Sequence, residues 1–248
     1  MYKRQVWANA GNKPLGLYVE ALQKSLRLAH LVTRRHDAGA QVFVSLEHHW
    51  RSPNPRIFGA RDLLETLLQW GRTEGDFEWA IAHHPYPQSL FEPKVWRDDQ
   101  PTFAFDTPKI TYKNIEVLTA WAARPEVRFA NRPRVIYLTE QGLNSRDYSE
   151  TALREQAAGM AYAWNKIKNL DGIEAHLYHN WVDNRAEGGL RIGLRRFPDD
   201  AEFPSGKKPV WSVYQALDTP AEAEATAFAL PMVGVKSWDE VRYRGAIK

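Results

Sequence analysis

The chain has 248 residues, 44% of them hydrophobic, with 33 basic against 30 acidic side chains and no cysteine. That length buries a full core and suggests one domain. The small charge imbalance, with no basic block behind it, argues against a nucleic-acid partner. The absence of cysteine excludes disulfides, thiolate metal sites and a cysteine nucleophile. No apolar run is long enough to span a bilayer, so no membrane partner is expected either. Ten Trp, ten Tyr and ten Phe make aromatic content the most unusual feature, and large flat side chains can serve as core or as rigid binding faces.

Taken in order, Leu22, Leu26, Ala29 and Val32 recur at helical spacing and predict an amphipathic helix over Leu17–His36, stopped at Asp37-Ala38-Gly39. "QVFVSLEHHW" then reads as a strand, "GARDLLETLLQWGRTEG" as a helix and "FEWAIAHHPYP" as a second strand closed by prolines. A long loop from Gln88 to Pro108 leads to the helix "KNIEVLTAWAARPE" and the strand "RVIYLTEQG". Tyr148 to Leu170 is a helix with Ser149 as its N-cap, "GIEAHLYHNW" is the fourth strand, and Val210–Leu217 forms a short helix. Strict alternation of this kind predicts an α/β fold with a parallel sheet and right-handed crossovers.

Each of the four strands ends in polar groups: Glu47, His48 and His49; His83, His84 and Tyr86; Glu140 and Gln141; His179, Trp181 and Asp183. In parallel α/β architectures ligands bind at the carboxyl ends of strands. No Gly-rich phosphate loop follows any strand, which disfavours a nucleotide site.

The segments "VFVSLEHHW", "WAIAHHPYP", "ITYKNIEVLTAW", "VIYLTEQGLNS" and "YHNWVDNRAEGGLRIGL" resemble an uncharacterised bacterial family of glycosidase-like TIM-barrel proteins related to clan A glycoside hydrolases. The resemblance implies the C-terminal half of a (β/α)8 barrel, its four parallel strands corresponding to strands five to eight, with no cofactor and no metal. It makes Glu140 the catalytic nucleophile of a retaining mechanism on a carbohydrate. The matching acid/base, a Glu after an Asn on the fourth strand, has no counterpart here; Glu47 is the internal competitor for that role. With a carbohydrate as substrate, the candidates to contact it are His48, His49, Trp50, His83, His84, Tyr86, Asn144, His179, Trp181 and Asp183. One histidine of the pair His83/His84, or Tyr86, is expected to contact the nucleophile, and Trp181 to form an aromatic floor.

"MYKRQ" is what one reads when a GTG start codon is followed by TAT AAG AGA CAG, a transposon end used in sequencing libraries. Residues 1–5 are therefore expected to be an adaptor scar on a metagenomic fragment, with a partial barrel over 6–218 and an extension over 219–248 packing through Phe228, Leu230 and Trp238. On this reading the chain lacks its acid/base and is inactive alone, an N-terminal half-barrel is a missing partner, open sheet edges invite self-association, and localisation is open. Two other classes stay open. One is a metal-dependent hydrolase using His48, His49, His83, His84 and His179 with Glu140 and Asp183, although alternation lets at most one histidine of each adjacent pair face inward. The other is a non-catalytic carbohydrate-binding barrel.

Overall fold

The computed structural model describes residues 13–51 and 58–248. The expected adaptor segment, residues 1–5, and the start of the barrel at 6 lie outside the described residues. The elements are α1 (Leu15–His36), β1 (Val42–Glu47), α2 (Ala60–Glu74), β2 (Trp79–His84), α3 (Glu116–Ala122), β3 (Ile136–Leu138), α4 (Glu150–Ile167), β4 (Ile173–His176), α5 (Pro209–Ala216), α6 (Glu222–Ala227) and α7 (Leu230–Val233). All neighbouring strands pair in parallel, in the order β1-β2-β3-β4. The fold is thus α/β, four parallel strands alternating with helices. Strand order equals chain order, the single winding found in barrels rather than the reversal of doubly wound sheets.

The pleat sorts side chains between two faces. Val42, Val44 and Leu46 point into the core with Leu63, Leu64 and Leu67 of α2. Phe43, Ser45 and Glu47 take the other face, where register places them beside Ala80, Ala82 and His84. The two alanines leave room for Phe43 and Tyr137 to meet, their ring centroids 4.7 Å apart. Ser45 is exposed on this face, while Phe43 and Tyr137 are half-buried. A wholly parallel sheet normally has both faces covered; among the described residues, helices pack on the face that carries Val42, Val44 and Leu46.

Two strands are shorter than the sequence implies. β3 begins only at Ile136, although Ile81 N already bonds Val135 O at 2.9 Å; just before it the buried Arg134 side chain donates to the carbonyls of Val127, Phe77 and Trp79 and lies 3.7 Å from the Trp79 ring centroid. β4 stops at His176, yet the ladder continues irregularly, with Leu177 N bonding Leu138 O at 2.8 Å and His179 N bonding Gln141 O at 2.8 Å. The helix expected over 113–126 splits into a 3-10 turn, Tyr112–Asn114, and α3, because a Thr111–Asn114 capping box closes the first turn. Ser149 caps α4 as its side chain accepts from Ala152 N. The C-terminal segment packs on α3 and α4: Lys166 pairs with Glu116 and donates to Val241 O, and Tyr243 N donates to Glu116.

His83 is fully buried on the helical side of β2, its Nε2 3.1 Å from Ile110 O. Burial pushes its pKa down from 6.5 to about 4. Between those values the unfolded chain binds a proton that the folded chain refuses, so this residue's contribution to stability is present above pH 6.5 and is lost as pH falls toward 4. Asp98, pushed up to about 6 by burial, acts in the opposite sense, so the isolating measurement is a difference. Denaturation midpoints of wild type and His83→Gln, followed from pH 7.5 to 4, should differ in slope by up to about 1.4 kcal/mol per pH unit inside that window. Parallel curves would show that His83 titrates normally.

Candidate active site

β1, β2 and β3 deliver three groups to one point at the carboxyl edge. Glu47 and His84 are register partners and so share a face; Glu140 follows β3 by two residues. His84 Nδ1 lies 3.4 Å from Glu47 Oε1 and 3.7 Å from Glu140 Oε2. Its Nε2 lies 3.1 Å from Thr139 Oγ1, which fixes the ring between the two carboxylates. Tyr86, just past β2, donates its hydroxyl to Glu140 Oε1 at 3.2 Å. Burial first, then the charges of Glu140 and Glu47, push the Tyr86 pKa up, so the phenol stays a donor at any ordinary pH.

These groups open into a cleft of about 870 Å³ lined also by His48, His49, Phe91, Lys109, His179 and Glu187. Close packing at its base is built into the backbone: a Cβ on Gly142 would meet His179 O at 2.2 Å, so only glycine lets the chain after Glu140 pass the end of β4. Glu187, on the loop after β4, accepts from His179 Nε2 at 3.1 Å and Asn180 Nδ2 at 2.9 Å. It is a cleft residue that strand patterning does not place, since its position depends on that loop folding back. Arg185, by contrast, turns outward to a bidentate pair with Asp199.

The structure gathers Glu140, Glu47, Tyr86, His84, His48, His49 and His179 in this region and leaves five expected residues out. His83 faces the helical layer because the pleat alternates. Trp50 is fully buried against Trp121, its Nε1 donating to Phe105 O at 2.8 Å. Asp183 is locked by Lys208, with Oδ1–Nζ at 3.0 Å, and by Tyr148 at 2.8 Å. Trp181 is exposed and packs edge-on to Trp211, with centroids 4.6 Å apart, so it is not among the cleft-lining residues. Asn144 is buried too; it braces the wall, accepting from Arg191 N at 2.7 Å and donating to Phe91 O. The expectation that one histidine of each pair faces inward fails for His48 and His49. Both line the cleft with stacked rings 4.4 Å apart, because β1 ends at Glu47 and strand alternation ends with it. Burial drives the pKa of His48 far down and that of His49 to about 4, so both rings are neutral at pH 7.

The set of residues weighed for a metal is not assembled, since His83 and Asp183 point elsewhere. A smaller set is: Glu47, His84 and Glu140 each place one ligand atom within 4.8 Å of the others. Two oxygens and one imidazole nitrogen suit a divalent cation of borderline hardness.

The profile of a family of unknown function, DUF5722, matches residues 2–241. The chain matches no curated protein. Among solved structures it is similar to one described as the apo structure of a beta-glucosidase 1317, with 17% identity, a TM-score of 0.43, and coverage of 91% of this chain and 52% of that one. The chain therefore spans about half the length of that protein.

Proposed function

The chain belongs to DUF5722, a family of unknown function, and we propose that it carries the nucleophile of a site that hydrolyses glycosides by double displacement. The observation that supports this is the setting of Glu140: a carboxylate at the carboxyl edge of a parallel sheet, held by the Tyr86 hydroxyl at 3.2 Å and open to a large cleft. A retaining mechanism needs a second carboxyl group about 5 Å away to protonate the leaving oxygen and later activate water. In our reading that group is a glutamate supplied by a longer form of the protein, completing the barrel. Glu47, with an oxygen within 4.8 Å of one on Glu140, is the competitor within this chain.

The experiment compares this chain, its Glu47→Gln variant and a longer form on a panel of aryl glycosides, with and without a chelator. Activity only in the longer form supports the reading. Activity in this chain that is lost in Glu47→Gln makes Glu47 the acid. Activity abolished by chelator supports the second reading, a metal-dependent hydrolase, which the compact Glu47, His84 and Glu140 set favours. Saccharide binding without turnover in any form leaves a carbohydrate-binding barrel.

The same reading gives the outer edges of β1 and β4, which pair with no strand among the described residues, a partner half-barrel. α1 exposes Leu17, Leu28, Leu31 and Val32. Such surface drives association, so this chain alone should sediment as a dimer or larger species. A monodisperse monomer that binds no hydrophobic dye would count against an incomplete barrel.

A further inference from the structure

One wall of the cleft carries a cation that makes no ion-pair contact with a carboxylate among the described residues. The segment 108–110 zips onto 48–50, with Ile110 N bonding His48 O at 2.8 Å and Trp50 N bonding Pro108 O at 3.0 Å, and this fixes Lys109 opposite His49 in an antiparallel bridge. Lys109 Nζ donates to Gln88 O at 2.7 Å, which uses one of its three protons. Among the described residues no Asp or Glu oxygen lies within ion-pair distance of it, and residues 1–12 and 52–57 contain neither amino acid. The one carboxylate that raises its pKa, against the lowering by burial, is Asp98. Beside it stand the neutral rings of His49 and His48. His48 is 6% exposed, and its Nδ1 has no hydrogen-bond partner. Phe91, 59% exposed in the same cleft, offers a ring face on which a sugar can stack.

A half-desolvated ammonium with donors to spare, next to imidazoles and an aromatic face, is suited to an anion attached to a polar ring. We propose that the cleft takes an acidic glycan, with the carboxylate of a uronic acid or the sulfate of a sulfated sugar held by Lys109. The proposal rests on the carbohydrate reading of the site and narrows its substrate class. Glu47, Glu140 and Glu187 lie in the same cleft, so an acidic ligand is oriented: its anionic group is repelled from the carboxylates and held toward Lys109.

The test is calorimetric binding to this chain of tetragalacturonate and its neutral methyl ester, and of a carrageenan tetrasaccharide and its desulfated form. One acidic member should bind at least about tenfold tighter than its neutral match, as expected for one charge-assisted hydrogen bond; which pair shows the preference separates carboxylate from sulfate. Lys109→Gln should erase the preference and Lys109→Arg should keep it, with unchanged thermal melts confirming that both fold. Equal binding within both pairs, or a preference that survives Lys109→Gln, overturns the proposal while leaving the carbohydrate reading intact. Failure of every saccharide, acidic and neutral, to bind overturns both.

Discussion

Glu140→Ala, introduced into a form of the protein that hydrolyses glycosides, should lose turnover by several orders of magnitude and regain part of it when azide or formate is added. The substitution removes the attacking carboxylate itself. It also empties the space beside Tyr86, whose hydroxyl now sits 3.2 Å from Glu140 Oε1. A small anion can enter that space and attack the anomeric carbon, giving a glycosyl product of inverted configuration that is detectable by NMR. Glu140→Gln keeps the shape and hydrogen bonding but fills the space, so it should be equally slow and not rescued. Rescue of neither variant, with turnover reduced less than about tenfold, would remove Glu140 from the chemistry.

The largest expected effect on stability lies outside the cleft. Asp183 and Lys208 have no exposed side-chain surface and meet at 3.0 Å. Asp183 also accepts from Gly193 N at 2.7 Å and from Tyr148 at 2.8 Å, tying the loop after β4 to the start of α5. Burial pulls the Lys208 pKa down to about 8 despite its partner. Asp183→Ala leaves that ammonium buried and uncompensated and should cost about 3–5 kcal/mol in urea denaturation. Removing both charges, with Asp183→Leu and Lys208→Met together, should cost clearly less than the single change, because the stranded charge is gone. If the single variant loses under about 1 kcal/mol, the pair is more hydrated than its burial implies.

Periodicity alone determined the alternation of helices and strands, since helical and extended spacing are local properties carried within windows such as 17–36 and 42–47. The polar strand ends likewise placed Glu140, Glu47 and Tyr86 together, because a parallel sheet brings all carboxyl ends to one edge. What the sequence could not decide was the phase of each strand and the identity of distant partners. His83 and His84 are adjacent and alike; only the register with β1 put His84 between two glutamates and His83 among the helices. Trp50 reads as a substrate contact until Trp121 and the loop at Phe105 enclose it. Asp183 reads as a cleft acid until Lys208, far along the chain, neutralises it. Lys109 becomes a cleft residue only when the loop before α3 pairs with the end of β1. In each case the deciding interaction joins residues distant in sequence or depends on strand register, and local patterning carries no information about it.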